Sequence, residues 1–242
     1  MLKKITRRLL GCSARPVTSE IGHARTDPFF DCLVRIGFQP KHIVDVGANR
    51  GNWTRTALRY FPEAYYSLFE PQPKMEKEVA DLIVNPKVKF YCMGAGPVSS
   101  TMKLSTHPRD DSFSFALDEA QASAQNREQI EARVVALDDF LPREGRPQAD
   151  ILKIDAEGWD LAVLKGAEKT AATAGVVLME AAVMNKPFSN KINVVMEEMA
   201  KRGFVVFDIT DLNRTVKQNA LWLVELAFVK RGGFLDEAIQ DY

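Results

Sequence analysis

Two carboxylates and a glycine follow an apolar run in the second half of the chain. Asp155, Glu157 and Gly158 come directly after Ile151-Leu152-Lys153-Ile154, and a helix-like stretch over 159–167 begins at once. In an open α/β sheet, ligands bind in the crevice outside the carboxyl ends of the strands. A carboxylate placed there can contact a charged ligand or remove the proton of a hydroxyl. Asp155 and Glu157 are therefore candidate catalytic residues, and the alternative is a structural charge cluster with Lys153.

A glycine-containing turn follows an earlier apolar run and reads Asp45-Val46-Gly47-Ala48-Asn49-Arg50-Gly51. Glycines in a strand-to-helix turn let a ligand approach the backbone, and the first amides of the helix are free donors. Glu70 ends the next apolar run, 19 residues after Gly51. An acid at that position can accept both hydroxyls of an adenosine ribose. The turn and the acid together predict a nucleoside-containing cofactor.

The kind of nucleoside depends on the first residue of the turn. Domains that bind nicotinamide cofactors carry Gly-x-Gly-x-x-Gly, whereas this turn begins with Asp45. A carboxylate repels a pyrophosphate but suits the sulfonium and ammonium of S-adenosylmethionine. The sequence therefore favours S-adenosylmethionine, and a nicotinamide-dependent oxidoreductase is the alternative.

The elements that must position these residues alternate between strand-like and helix-like patterns. This alternation predicts an α/β fold, a doubly wound, mostly parallel seven-stranded sheet of Rossmann-like type with an antiparallel pair at one edge. Residues 97–150 are too long for one crossover, and they are expected to form an insertion over the carboxyl edge of the sheet, where loops often select substrates. The predicted strands are 43–47, 65–70, 88–93, 150–155, 175–180, 204–209 and 221–229.

Composition narrows the classes of function. The chain has 242 residues with 32 basic and 32 acidic side chains, so no overall charge attracts nucleic acid. Three cysteines without paired spacing fit the cytoplasm. We expect one domain over 28–242, preceded by a basic arm over 1–27 that allows weak contact with a membrane surface. No segment approaches the roughly 20 apolar residues of a membrane span.

Several motifs together resemble the FkbM family of methyltransferases, over roughly residues 29–230 and in the order that the family shows. Where family members often carry an Ala-x-Gly-Asp-like turn, this chain has Met93-Gly94-Ala95-Gly96-Pro97, so the resemblance assigns no contact to adenine. The matching motifs are Val44-Asp45-Val46-Gly47-Ala48-Asn49-x-Gly51, Phe69-Glu70-Pro71, Leu137-Asp138-Asp139-Phe140, Leu152-Lys153-Ile154-Asp155-x-Glu157-Gly158, Val163-Leu164-x-Gly166-Ala167 and Phe228-Val229-Lys230.

The resemblance implies a class I S-adenosylmethionine-dependent methyltransferase that acts on a hydroxyl oxygen of a sugar, glycan or secondary metabolite. One of Asp155 and Glu157 would contact the methionine end of the cofactor, and the other would orient or deprotonate the acceptor. The candidate cofactor-binding residues are Asp45, Gly47, Ala48, Asn49, Gly51, Glu70 and Asp155.

Three alternatives for the chemistry stay open at this point. His107, in the insertion near two aspartates, is a further candidate for the general base. Asp155 and Glu180 end neighbouring predicted strands and could hold a divalent metal that activates the hydroxyl. A domain that binds the cofactor or a glycan without catalysis is the third. His42 precedes the first strand and is expected to be structural or solvated.

Overall fold

The fold is described from a computed structural model, which covers residues 26–106, 113–115 and 117–240. The helices are α1 (Thr26–Ile36), α2 (Asn52–Tyr60), α3 (Met75–Glu78), α4 (Ala80–Ile83), α5 (Glu119–Ala124), α6 (Leu137–Phe140), α7 (Asp160–Lys165), α8 (Glu168–Thr173), α9 (Ile192–Lys201) and α10 (Phe234–Glu237), with a 3-10 turn at Leu141–Glu144. The strands are β1 (His42–Val46), β2 (Tyr65–Phe69), β3 (Val88–Tyr91), β4 (Gly94–Ala95), β5 (Ser100–Ser105), β6 (Gln129–Val135), β7 (Ile151–Ile154), β8 (Val176–Ala182), β9 (Phe204–Arg214) and β10 (Leu221–Lys230).

Seven strands form the main sheet in the order β3-β2-β1-β7-β8-β10-β9. Strands β1, β2, β3, β7 and β8 are parallel, and β10 runs antiparallel to both β8 and β9. The predicted doubly wound sheet with its antiparallel edge pair is confirmed. The chain winds in opposite directions from β1 and β7, so the crevice between their carboxyl ends is the topological switch point where ligands bind in such sheets.

The sheet carries helices on both faces, and this explains why its central strands are apolar runs. All residues of β1 and β7 are buried, as expected for parallel strands covered on both sides. One core cluster includes Phe69, Leu152 and Phe228. The other includes Phe29 and Phe30 of α1 together with Trp53 of α2. Both helices therefore pack their apolar stripes on the same face of the sheet.

The ends of β3 and β9 differ from their predictions. Strand β3 stops at Tyr91, whose carbonyl accepts a turn hydrogen bond from the amide of Met93. Strand β9 continues to Arg214, beyond the predicted end at 209. Its polar second half pairs with β10 through irregular register, because antiparallel backbone pairing does not require apolar side chains.

The segment 97–150 contributes β5 and β6 to a second sheet of order β4-β6-β5. Leu104, Phe115 and Val134 form its small core. Residues Gly94 and Ala95, at the departure from the family pattern, form β4 and pair with β6. The small sheet approaches the main part of the domain at one point. The carbonyl of Gly96, directly after β4, lies close to Gly166, directly after α7.

His42 has the structural role that the sequence allowed. It is fully buried, Nε2 lies 2.9 Å from the Ser67 hydroxyl, and Nδ1 lies 2.8 Å from the Pro147 carbonyl. Apart from its last residues, Thr26 and Asp27, the predicted N-terminal arm lies outside the described part of the chain. Within that part, no helix has the length and apolar character needed to cross a membrane.

Candidate active site

Asp155 lies at the carboxyl end of β7, beside the turn that follows β1. Its amide donates to the Val46 carbonyl at 3.0 Å, which extends the pairing of the two strands by one residue. Its side chain is 36% exposed, and Oδ2 lies 3.0 Å from Nζ of Lys153. Asp155 is therefore both anchored by its backbone and accessible to a ligand.

Lys153 joins Asp155 to the buried acid that begins the glycine turn. The side chain is 4% exposed, and Nζ lies 3.7 Å from Oδ1 of Asp45. Burial by itself lowers the pKa of Lys153, but the charges of Asp155, Asp45 and Glu225 outweigh burial and raise the pKa above its ordinary value. Lys153 is thus a buried cation whose ammonium is directed at both Asp155 and Asp45.

Asp45 is fully buried, behind the glycine turn. Its Oδ2 accepts a hydrogen bond of 2.6 Å from the Thr54 hydroxyl of α2. Its Oδ1 accepts none from the described residues. Burial raises the pKa of Asp45, against the opposing effects of Lys153 and Thr54. The acid that distinguishes this turn therefore ties α2 to the sheet and retains one unused acceptor.

The two glycines of the turn are required by packing as well as by backbone conformation. Gly47 has φ +78°, and a Cβ at this position would lie 1.8 Å from the carbonyl oxygen of Asp155. Gly51 has φ +74°, and its Cβ would lie 2.5 Å from Leu82. The space beside both glycines is thus filled by protein, and the turn is pressed against the base of Asp155.

Glu70 clamps the same turn from the end of β2. Its Oε2 accepts the amide of Asn49 and its Oε1 accepts the amide of Gln72, each at 3.0 Å. The carboxyl group is 4% exposed, and burial raises its pKa to about 7, against the hydrogen bonds from Gln72 and Asn49. Asn49 has φ +46°, which these bonds help to hold. Gly47, Ala48, Asn49 and Glu70 are thus brought together as predicted.

Glu157 lies in a tight loop after β7. Its φ is +51°, in the left-handed region that costs a non-glycine residue roughly 1–2 kcal/mol, and Gly158 follows with φ +88°. Its carbonyl accepts a hydrogen bond of 2.8 Å from the Ser114 hydroxyl. The described residues 113–115 of the insertion therefore touch the loop that carries Glu157.

Asp160 holds this loop, and sequence reasoning missed its role. It is fully buried; Oδ1 accepts the amide of Ala156, and Oδ2 accepts the amide of Gly158, both at 3.1 Å. Nδ2 of Asn190 donates to Oδ2 at 2.9 Å. The available signal was an acid at the first position of α7, whereas Asn190 is brought in by tertiary structure.

Replacing Asp160 by Asn is expected to lower the free energy of unfolding by about 2–4 kcal/mol. The new side-chain NH₂ group would face an N–H donor whose hydrogen bond the carboxyl group of Asp160 now accepts. Burial raises the pKa of Asp160 to about 7, so the folded chain keeps a proton that the unfolded chain releases, and the advantage of wild type over D160N shrinks as pH rises; urea unfolding is therefore measured at pH 6. Asp139→Asn, at an exposed position, is the matched control and should change stability by less than about 0.5 kcal/mol. Equal stability of the two variants would contradict the role of Asp160.

Two further carboxylates lie opposite each other next to Asp155. Glu180 of β8 and Glu225 of β10 are direct partners in the antiparallel register. Oε1 of Glu225 accepts the Thr210 hydroxyl at 2.6 Å, whereas Oε2 of Glu180 is enclosed and has no donor among the described residues. Burial raises the pKa of both, that of Glu225 to about 7, and the nearby charge of Asp155 adds to the shift of Glu180.

Replacing Glu225 by Gln is expected to weaken the loss of stability that occurs as pH rises. The pKa of Glu225 is about 7 in the folded protein against 4.5 for an ordinary glutamate. Between these values the unfolded chain releases a proton that the folded chain keeps, so wild-type stability falls with rising pH, by up to about 3 kcal/mol. Stability measured by urea unfolding should therefore favour E225Q at pH 8 more than at pH 4.5. An identical difference at both pH values would contradict this assignment.

His107, the remaining candidate base, lies outside the described residues. Of the candidate metal pair, Asp155 directly follows β7, whereas Glu180 lies within the neighbouring strand β8, two residues before its end. Within the described ranges, no group of three or more His, Cys, Asp or Glu residues is arranged to hold a metal ion. The described site therefore consists of Asp155 with Lys153, the clamped turn and the pair of glutamates.

A comparison of the sequence with models of protein families identifies the family of this chain. The model of the methyltransferase FkbM domain matches residues 45–206, from the buried acid of the turn to the first residues of β9. The chain belongs to the FkbM methyltransferase family. The match includes the motif that follows β7, and the model describes a methyltransferase domain.

Two solved methyltransferase structures share the fold of this chain. The methyltransferase FkbM of Methylobacillus flagellatus KT has a TM-score of 0.51 at 14% identity, over 78% of this FkbM-family chain and 43% of the other. A putative O-methyltransferase of Klebsiella pneumoniae has a TM-score of 0.50 at 13% identity, over 88% and 83%. This chain spans less than half the length of the Methylobacillus protein. No curated protein has a significant sequence match.

Proposed function

We propose that this protein is an S-adenosylmethionine-dependent methyltransferase that methylates a hydroxyl oxygen of a small molecule or glycan. Membership of the FkbM methyltransferase family supports the reaction class. The observation that carries the site is Asp155, an accessible carboxylate anchored against the glycine turn and paired with a buried lysine.

The residues around the turn fit this cofactor. Carboxylates lie at the carboxyl ends of three neighbouring strands, with Asp45 in β1, Glu70 after β2 and Asp155 after β7. Oδ1 of Asp45 is a buried acceptor without a hydrogen-bond donor in the described structure. Such a lining favours a cation over a pyrophosphate. Gly47, Ala48, Asn49 and Gly51 would hold the cofactor by the backbone, Glu70 would face the ribose, and Asp45 and Asp155 would compensate the positive methionine end. When bound, S-adenosylmethionine supplies a methyl group on a sulfonium.

Asp155 is proposed to orient the acceptor hydroxyl and accept its proton. The bound cofactor would supply the methyl group, with its sulfur as the leaving group, to the hydroxyl oxygen from which Asp155 would take the proton. Lys153 fixes the direction of the Asp155 side chain through the ion pair of 3.0 Å. The main contribution of the protein is to align the acceptor oxygen with the methyl group. For well-oriented reacting groups, such alignment lowers the activation free energy by about 7–11 kcal/mol.

Glu157 is proposed to position the acceptor through the loop that Asp160 holds. Because Ser114 of the insertion donates to the Glu157 carbonyl, the segment 97–150 is suited to select the acceptor. His107 of the same segment stays a candidate base.

The experiment that tests the proposal combines binding and transfer. Calorimetry should show binding of S-adenosylhomocysteine but not of NAD. Transfer of labelled methyl from the cofactor is then screened against nucleotide sugars, glycans and small hydroxylated metabolites, and we expect ether products. Products only on amines or carboxylates would overturn O-methylation, and cofactor binding without transfer to any class would support a non-catalytic domain.

Removal of metals is expected to leave the transfer rate unchanged, because Lys153 already supplies the cation beside Asp155. The rate is measured before and after exhaustive treatment with EDTA, with the acceptor that gives the strongest transfer. A loss of activity that magnesium restores would show that Asp155 and Glu180 act as metal ligands instead.

A further inference from the structure

A small cavity opens next to Asp155, between the ends of β7 and β8 and the middle of the hairpin formed by β9 and β10. Its volume is about 50 Å³. The walls include the apolar Leu223 and Val224, and the polar residues that line it are Lys153, Asp155, Glu180, Asp211, Asn213 and Glu225.

The lining of this cavity contains more acidic than basic groups. Four carboxyl groups face one ammonium, and Lys153 is the only cationic residue of the lining within the described structure. That ammonium is already engaged, at 3.0 Å from Asp155 and 3.7 Å from Asp45. Glu180, Asp211 and Glu225 therefore share a cation that is mainly committed to two other acids.

Glu225 is buried and Glu180 is half-buried, in an arrangement that calls for a positive partner. Glu225 is 8% exposed, and Oε2 of Glu180 is enclosed without a donor. They face each other directly across the β8–β10 ladder. Like charges at such a position destabilise a sheet, and a buried charge is costly unless it is paired.

We propose that this cavity binds a protonated amino group of the acceptor, so that the substrate is an amino alcohol or amino sugar methylated on oxygen. This inference rests on the proposed function. An ammonium carries three donors and one positive charge, so it supplies both a donor for Glu180 and the missing charge. A neutral hydroxyl would supply only the donor.

The size and position of the cavity agree with this occupant. A water molecule occupies about 30 Å³ in the liquid, so a cavity of this volume accepts an ammonium head while the rest of the substrate stays outside. Asp155 lines the same cavity, which places a neighbouring hydroxyl within its reach. A protonated nitrogen has no lone pair, and binding it in this form directs the methyl group to oxygen.

The test compares matched pairs of ligands that differ in one group. Three pairs of compounds are titrated into the protein saturated with S-adenosylhomocysteine. They are methyl glucosaminide with methyl glucoside, aminoinositol with inositol, and 2-aminoethanol with ethylene glycol. At least one amino compound should bind at least 10-fold more tightly than its hydroxyl counterpart, and labelled methyl transfer to it should give an O-methyl product. Equal or weaker binding of all three amino compounds would overturn the inference.

Substitution of both glutamates identifies the binding groups. The double variant Glu180→Gln, Glu225→Gln is nearly isosteric and removes buried charge, so it should remain folded. We expect it to abolish the preference for the amino compound while the Kd of S-adenosylhomocysteine stays within about threefold. Glu197→Gln, at an exposed position on α9, is the matched control and should behave as wild type.

The outcomes separate this inference from the proposed function. Equal weakening of S-adenosylhomocysteine and amine binding in the double variant would assign the cavity to the ammonium of the cofactor and overturn the inference. Tight binding of S-adenosylhomocysteine with methyl transfer only to neutral hydroxyl compounds would overturn the inference and leave the proposed function intact. Failure of wild type to bind S-adenosylhomocysteine would overturn the proposed function itself.

Discussion

Replacing Asp155 by Asn is expected to lower kcat by about 10²- to 10⁴-fold, the usual contribution of a positioned general base. The amide has the same shape but neither accepts a proton nor pairs with the Lys153 ammonium, which lies 3.0 Å from the carboxylate in wild type. The rate is measured as transfer of labelled methyl to the acceptor that the screen identifies, with S-adenosylhomocysteine affinity measured in parallel.

The controls for D155N separate catalysis from folding. Asp139→Asn makes the same chemical change at an exposed position and should keep wild-type kcat. The far-UV spectrum of D155N should keep the wild-type shape, whereas its Tm is expected to fall, because the buried Lys153 loses its nearest anion. His107→Ala is compared in the same assay. Loss of turnover in that variant, with D155N still active, would transfer the role of base to His107.

Replacing Gly47 by Ala is expected to lower the free energy of unfolding by about 4 kcal/mol or more. Single substitutions cause losses of this size only through a few mechanisms, among them steric overpacking and backbone strain. The new Cβ would lie 1.8 Å from the Asp155 carbonyl oxygen, and this contact is with backbone that cannot rotate away. The positive φ of +78° adds strain. Urea unfolding monitored by circular dichroism measures the loss.

Gly37→Ala provides the matched comparison for this prediction. Gly37 has φ +87°, similar to Gly47, but its Cβ would meet no atom within 4 Å. It should therefore show only the cost of the left-handed conformation, about 1–2 kcal/mol. The difference between the two variants isolates the clash. If both lose the same stability, the turn and Asp155 are not in contact in solution.

Local patterns were sufficient to predict the sheet and the position of Asp155. Strands buried on both faces appear as apolar runs, and the residue after such a run must lie at the carboxyl end of the sheet. The same logic located Glu70. The pattern around Gly47 showed that a glycine is needed there, but not that the Asp155 carbonyl occupies the space, because that contact joins β1 to a strand about 100 residues later.

The rest of the site depends on contacts that a single sequence does not reveal. Asn190 reaches Asp160 across 30 residues. Glu225 lies opposite Glu180 because the antiparallel register of β8 and β10 places it there. A shift of one residue in that register would turn Glu225 to the other face. The polar half of β9 was missed for a related reason, since pairing with β10 makes it a strand despite its composition.

The reversed direction of β10 has a practical consequence for redesign of this protein. Glu225 enters the cavity from the middle of the strand, so the connection 215–220 between β9 and β10 lies several residues away from it in the chain. Thr215 and Ala220 close that connection by a backbone hydrogen bond of 2.8 Å, and Val216 at its tip is 97% exposed. Exposed loop tips tolerate inserted sequence. The hairpin is therefore a graft point at which foreign loops could be added to contact bulkier acceptors, while the pair of glutamates stays in register.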